Sequence, residues 1–255
     1  MKKIAAIVQA RMSSSRLPQK VLMDLQGKPV IEQVCHQLSY SKLLNEIILA
    51  TSSDSSDDPL IEWAKSKQIK YFRGDLNNVL KRFYDTAKYF NIEVIVRITA
   101  DCPLIDPEIV DNVIEQYLNG NHDYFSNTNP PTFPDGLDTE VFSFTSLEKA
   151  FHQAELLSEI EHVTPFIRNH AEIFKIGNYS SPINDERLRW TLDNEEDYKF
   201  ISTVYKNLFD KNTYIAWRDV LKFLDANKEV IGINQHIARN EGLTKSLKTD
   251  KIIKR

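Results

Sequence analysis

Three positive charges share one short loop near the start of the chain. They are Arg11, Arg16 and Lys20, with Ser13, Ser14 and Ser15 among them. Small residues leave backbone N–H groups open to anion oxygens, guanidiniums fork onto those oxygens, and an ammonium adds a point charge. Charges of one sign this close repel one another, so the loop reads as a cradle for a polyanion such as phosphate. A solvated basic loop is the bland alternative. The apolar run Ile4 to Val8 precedes it, which puts the loop at the end of a buried strand. Open α/β sheets carry their ligand loops there.

Carboxylates supply the second half of the chemistry. Asp101 follows Arg97-Ile98-Thr99-Ala100, the end of another buried-looking strand. A bare carboxylate facing bound phosphates would repel them. A hard divalent cation such as Mg²⁺ between the two resolves the conflict. The competing role for Asp101 is a helix cap, but Asp106, directly before Pro107, fills that role better. Asp193 ends Arg189-Trp190-Thr191-Leu192 in a similar way, although Asp193 or Asn194 also suits an N-cap there, with Glu196 or Asp197 favouring the first helical turn. Asp135, Asp138 and Glu140 lie in a proline-rich segment and offer acceptors to sugar hydroxyls. An ordinary turn at Asp135-Gly136 is the alternative. Histidines do not cluster, and by pattern His162 and His170 read as plain helix residues. Glycine-rich dinucleotide or Walker loops, a Gly-x-Ser-x-Gly elbow and a Cys-x-x-Cys pair are absent.

These residues need a frame. Apolar runs at Lys3 to Gln9, Glu46 to Ala50, Ile69 to Phe72 and Glu93 to Ile98 read as strands. Between and after them, helical spacing marks Val30 to Leu38, a helix opening at Pro59, Asn78 to Phe90, and Pro107 to Leu118. The alternation predicts an α/β fold: one Rossmann-like, doubly wound, mostly parallel sheet with helices on both faces. Beyond Asp123 the order changes. Strands are expected at Tyr124 to Asn127, Thr139 to Phe144, Phe174 to Tyr179 and Leu188 to Leu192. Helices are expected at Ser146 to Ala154, Glu159 to Asn169, Asn194 to Asn207 and Ala216 to Ala226. The organisation expected is one domain over 1–238, with an inserted segment at about 123–180, and a basic tail over 239–255.

The whole chain narrows the partners. It has 255 residues, 42% hydrophobic and 27% charged, and a net charge of -4. That balance argues against a general nucleic-acid binder and makes the positive loop a local feature. The tail carries Arg239, Lys245, Lys248, Lys251, Lys254 and Arg255 against Glu241 and Asp250, and reads as a solvated, mobile end. Cys35 and Cys102 make neither a metal motif nor a disulfide framework, which suits a reducing, cytoplasmic setting. No apolar run approaches the roughly 18 residues that a membrane span needs. The apolar stretch behind Met1-Lys2-Lys3 reaches Arg11 too soon for a signal peptide.

The loop from Arg11 to Lys20 resembles the signature of the sugar nucleotidyltransferases, in the form used by cytidylyltransferases of the spore-coat polysaccharide type. These are similar to the enzymes that activate acylneuraminate and 3-deoxy-manno-octulosonate with CTP. The resemblance extends through Arg97 to Pro103, Pro134 to Glu140, Glu161 to Pro165 and Thr191 to Asp197, and leaves the tail outside. It implies CMP transfer from CTP to a sugar acid or related acceptor, with pyrophosphate released, in surface polysaccharide synthesis. By position it makes Arg11, Arg16 and Lys20 the holders of the triphosphate, with Ala10 and Ser13 lining the same loop. Asp101 becomes the first Mg²⁺ ligand and Asp193 the second. Arg11, Arg16, Lys20 and Asp101 are then the catalytic set. Thr51, Ser52, Arg73 and Ala100 fall where base and ribose are touched, and Asp135, Asp138, Glu140 and His162 where the acceptor lies. A homodimer paired through the segment after Asp123 is also implied. One departure stands out: serines occupy the place beside the first serine where the family commonly has glycine. Two alternatives stay open, a nucleotidyltransferase using UTP or GTP with a sugar 1-phosphate, and a nucleotide-binding regulator without turnover.

Overall fold

A computed structural model describes residues 2–253, so Met1, Lys254 and Arg255 lie outside the described residues. Seven strands form one sheet: β1 (Ile4–Gln9), β2 (Glu46–Ser52), β3 (Lys70–Gly74), β4 (Val94–Thr99), β5 (Tyr124–Ser126), β6 (Glu140–Ser143) and β7 (Ile176–Asn178). Their spatial order is β3-β2-β1-β4-β6-β5-β7. β1 pairs parallel with both β2 and β4, and β6 alone runs antiparallel to its neighbours β4 and β5. The expected mixed, mostly parallel sheet is therefore present.

Alternation along β1 builds two cores. Ile4, Ala6 and Val8 join the larger cluster, and Ala5 and Ile7 join the smaller one. Helices α1 (Val30–Leu38), α2 (Asp58–Ser66), α4 (Pro107–Gly120), α8 (Glu195–Leu208), α9 (Trp217–Ala226) and α10 (Lys228–Ile231) contribute to the first face. The second face is covered by α3 (Val79–Tyr89), α5 (Phe144–Gln153) and α7 (Pro165–Asn169). A side chain such as Ile7, with no exposed surface, contributes roughly 1.5–3 kcal/mol by leaving water.

The sheet also decides where a ligand can sit. Gln9, the last residue of β1, is paired with Ala50 of β2 and Thr99 of β4. The loops after β1 and β4 therefore leave the sheet side by side. One crossover from β1 leads to β2 and the other neighbour is β4, so the crevice between these loops is the switch point of the sheet. Asp106 caps α4, accepting from the N–H groups of Glu108 and Ile109 at 2.8 and 3.1 Å, and so leaves Asp101 free.

Three expectations change. The helix expected over Glu159 to Asn169 is two, α6 (Leu157–His162) and α7. Pro165 opens the second helix and has no N–H to continue the first, and Val163 between them is at φ 72. A buried β-branched residue in that region is held only by its surroundings. The effect is to bring both His162 and Thr164 to one cavity. The strand expected at Leu188 to Leu192 is an extended segment with a single bridge, Asp135 to Arg189. Its backbone is bound by loops instead, with Asp135 N–H donating to Leu188 O and Leu192 N–H donating to Asp101 O at 2.9 and 2.8 Å. The tail expected as a free end forms α11 (Glu241–Lys248) and crosses back over the body. Asp250 accepts from the Ser158 hydroxyl at 2.6 Å, and Ile252 bridges Leu156.

One glycine is required by close approach. Gly136 is at φ 112, and a Cβ there would stand 2.6 Å from the Trp190 carbonyl carbon. We expect Gly136→Ala to lower stability by about 1–3 kcal/mol from backbone conformation alone. Equilibrium urea denaturation checks this, and an unchanged midpoint would remove the close approach as a constraint.

Candidate active site

Asp57, which sequence reasoning passed over, shapes the basic loop. It is fully buried and accepts from Met12 N–H at 2.7 Å with one oxygen. The other oxygen takes the Thr51 hydroxyl at 2.9 Å and the Ser52 hydroxyl at 2.5 Å. Thr51 and Ser52 were expected near base and ribose. Their side chains are turned into the protein and hold this carboxylate. Arg73 donates to the Ser52 and Asp54 carbonyls and pairs with Asp58 at 2.7 Å. None of these three lines the main cavity, and neither does Ser13. Two arrangements in the loop could have been sought in the sequence: Asp57 lies five residues past a strand-ending Ser, and Gln19, at φ 60, turns the chain into one 3-10 turn over Lys20–Leu22.

That turn aims Lys20 inward. Lys20 is 7% exposed, and its ammonium lies 2.6 Å from Asp101 Oδ2 and 2.8 Å from Asp193 Oδ1. Arg16 reaches the same Asp193 oxygen at 2.9 Å, and its other arm meets Glu241 of α11 at 2.7 Å. A carboxylate thus stands on Arg16 in the place a phosphate oxygen would take. Burial pulls the Lys20 pKa down, but Asp101 and Asp193 outweigh it and the net direction is up. Burial pushes the Asp101 carboxyl up, and Lys20 outweighs that too, holding it at about 2. Both groups are charged across the neutral range.

Arg189, also missed, organises the far side. It is buried and donates to Asp197 twice at 2.9 Å, to Asp135 at 3.1 Å and to Asp193 at 3.1 Å. Burial opposes its charge, and Asp197 then Asp135 and Asp193 raise its pKa overall. Asp197 also accepts from the N–H groups of Asp193 and Asn194, so it anchors the start of α8. Asn194 takes the N-cap position, which leaves the Asp193 carboxylate to face Lys20 and Arg16. The signal in the sequence was a charge placed inside the otherwise apolar run ending at Leu192.

These groups line one cavity of about 680 Å³, with Ala10, Arg11, Arg16, Lys20, Ala100, Asp101 and Asp193 toward one part of it. Asp135, Asp138, Glu140 and His162, expected near an acceptor, line it as well. Each already has partners. Asp138 meets Arg239 at 2.5 Å, and Glu140 is held by Arg97, the Tyr124 hydroxyl at 2.5 Å and the Thr164 hydroxyl at 2.6 Å. Burial, and then the Asp138 carboxylate, push the Asp135 carboxyl up to about 7 against the pull of Arg239 and Arg189. The His162 ring stands 3.0 Å from the Ser246 hydroxyl, and burial takes its pKa down to about 4, helped by Arg97 and Arg168 against Glu161. It is a neutral imidazole at neutral pH.

The donor set fits a divalent ion. Asp101 and Asp193 converge on a single point now held by an ammonium, and both are hard oxygen donors. Among the described residues no cluster of three His, Cys, Asp or Glu could enclose a metal by itself. Two carboxylates facing a phosphate site are what Mg²⁺ usually takes from protein, the rest coming from phosphate and water. Cys102 also lines the cavity, 3.6 Å from Asp101. Burial and that carboxylate push its thiol well above the ordinary range, so it is no nucleophile.

The Lys20 cluster has a definite pH signature. Asp101 sits below its unfolded value of about 3.9, so its contribution is full above pH ~4 and is lost as the pH falls toward 2. Lys20 sits above its own, so its contribution is full below pH ~10 and is lost on further rise. Lys20→Met leaves the Asp101 carboxylate without its ion-pair partner and facing Asp193, and we expect a loss of about 3–5 kcal/mol at pH 7 that shrinks at pH 2–3. Denaturation curves at both pH values check this. A loss independent of pH would deny that the charges cause it.

A family model for cytidylyltransferases matches residues 5–231. The spore coat polysaccharide biosynthesis protein SpsF of Bacillus subtilis is 32% identical over 90% of this chain and 97% of its own length. A 3-deoxy-manno-octulosonate cytidylyltransferase of Chloroherpeton thalassium is 31% identical over 46% of each chain. The solved structure of a cytidylyltransferase from Leptospira borgpetersenii is 32% identical, covers 94% of this chain and 100% of its own, and superposes with a TM-score of 0.87. The chain belongs to the cytidylyltransferase family.

Proposed function

We propose that the protein transfers CMP from CTP to a sugar acid or related acceptor, with Mg²⁺ bound and pyrophosphate released, in the synthesis of a surface polysaccharide. The observation that carries this reading is the Lys20 ammonium held between Asp101 and Asp193 at the switch point of the sheet. A phosphate chain laid along the loop meets Arg11, whose guanidinium has no hydrogen bond or ion pair among the described residues, then Arg16 and Lys20. SpsF carries polysaccharide biosynthesis in its name, and the Chloroherpeton relative carries 3-deoxy-manno-octulosonate. The first supports a part in polysaccharide synthesis and the second an acceptor of sugar-acid type.

The residues divide the work. Arg11, Arg16 and Lys20 bind the phosphates and take up the charge that builds on them as the bond to the α-phosphorus breaks. Asp101 and Asp193 would hold Mg²⁺, which when bound supplies further charge neutralisation and orients the phosphates. Arg189 fixes Asp193 and Asp135 so that the nucleotide and acceptor parts of the cavity keep their spacing. An acceptor oxygen attacks the α-phosphorus and pyrophosphate leaves, so no protein nucleophile is needed. Positioning and electrostatics carry the rate.

The test incubates the protein with Mg²⁺ and each of CTP, UTP, GTP and ATP against ulosonic acids, sugar 1-phosphates and polyol phosphates. Pyrophosphate release with CTP and a sugar acid is expected. Release only with UTP or GTP and a sugar 1-phosphate would replace the base and acceptor assignments. Asp101→Asn is expected to lower turnover by at least about 100-fold. Near-normal turnover of this variant at ordinary Mg²⁺ would sink the metal assignment.

A further inference from the structure

The five guanidiniums that line the cavity are not equivalent. Arg16, Arg97 and Arg189 are held by carboxylates of the protein itself. Arg11 and Arg168 make no side-chain hydrogen bond or ion pair among the described residues. Arg11 belongs to the phosphate loop. Arg168 stands on α7, close enough to Glu140 and His162 to act on the charge of both. Its Nε is buried without a partner. Glu140, the carboxylate it acts on, is already engaged by Arg97, Tyr124 and Thr164, and of the other carboxylates lining the cavity Asp138 is held by Arg239 and Glu161 by the Ser246 hydroxyl at 2.9 Å. A buried donor left unmatched in a polar cavity costs free energy unless something else supplies the acceptor.

The wall opposite comes from the end of the chain. Ser246 of α11 touches both Glu161 and His162, at 2.9 and 3.0 Å. Lys245, its neighbour, also lines the cavity, and its ammonium likewise has no ion pair among the described residues. This helix lies beyond residue 231, where the family match stops. It is anchored at both ends, by Arg239 on Asp138 and the Phe133 carbonyl, and by Asp250 on Ser158. None of its own residues is buried, so position and not core packing explains its placement.

We propose that Arg168 and Lys245 form an anion subsite, walled by the C-terminal helix, that holds an acidic group of the acceptor. The subsite takes a carboxylate or a phosphate, and its neutral neighbour His162 offers a hydrogen bond without adding charge. The identity of the bound group as part of an acceptor rests on the CMP-transfer reading above. The subsite itself does not.

The full chain is titrated by calorimetry, first with CTP and Mg²⁺. The nucleotide-loaded protein is then titrated with pyruvate as the carboxylate probe and with inorganic phosphate. One probe is expected to bind the wild type. Arg168→Ala should weaken that probe by at least about tenfold and Lys245→Ala by less, with CTP affinity kept in both. Arg168→Lys, which keeps the charge and loses the fork, should restore part of the loss. Pyruvate winning marks a sugar-acid group, and phosphate winning marks a phosphorylated acceptor. The subsite is overturned if neither probe binds the wild type, or if Arg168→Ala binds as the wild type does. Loss of CTP affinity in Arg168→Ala would also overturn it, by placing Arg168 with the nucleotide. Failure of the wild type to bind CTP overturns the CMP-transfer reading alone. The same probe comparison on nucleotide-free protein, with Arg11→Ala removing the unengaged guanidinium of the phosphate loop as a competitor, then decides the subsite.

Discussion

An ammonium buried between two carboxylates holds this site together. Lys20, Asp101 and Asp193 come from three distant parts of the chain and meet within 2.8 Å. Each alone would be costly to bury. Together they stay charged because the attraction between them offsets lost hydration, and the geometry leaves little slack. The sheet must therefore deliver all three to one point. It does so because β1 and β4 are paired to their last residues, and because the segment before α8 is bonded through Leu192 N–H to the carbonyl of Asp101.

A second layer keeps those three in place and is made almost wholly of buried charge. Asp57 gathers the loop through Met12, Thr51 and Ser52, and Arg189 gathers Asp135, Asp193 and Asp197. Buried ion pairs of this kind add little net stability but strongly disfavour alternative arrangements, since moving one partner strands another. That suits a site whose chemistry depends on fixed charges facing a polyanion. Preorganised dipoles and charges need not rearrange when charge develops on the substrate.

The sheet was legible in the sequence because burial on both faces leaves a plain mark. Ile4 to Val8 is an unbroken apolar run and Val94 to Ile98 is interrupted only by Arg97, and only a central parallel strand needs so much apolar surface on both faces. Asp101 was legible because it follows such a run while Asp106 already serves as the cap. What was not legible was which polar residues face the cavity and which face inward. Thr51 and Ser52 look like ligand groups at a strand end, yet Asp57 claims them. Composition gives no sign of this, since the contact closes within a single polar loop. Leu188 to Leu192 has the alternation and size of a strand, but its partners are loops, and apolar patterning reports burial without reporting what does the burying. The break at Val163 had a signal in Pro165, which sequence alone does not separate from a helix running on past Asn169.

The C-terminal segment shows how charge composition misleads about position. Its lysines and arginines read as a solvated end, and α11 is indeed exposed along its length. Yet Arg239 reaches the Asp138 carboxylate in the cavity, Glu241 sits on Arg16, and Ser246 sits on His162. A basic segment is drawn to a cavity whose rim carries Asp138, Glu161 and Asp193, and the acidic residue within it, Glu241, settles on the Arg16 guanidinium. On the CMP-transfer reading a phosphate oxygen would compete with Glu241 for the same forked donor, and a charge-assisted bond to phosphate would replace the one to Glu241 at little cost. On the CMP-transfer reading, nucleotide binding and the placement of α11 would be joined through one arginine. The helix touches the basic loop through Glu241 and lines the same cavity, so the two parts of that cavity would not be filled independently.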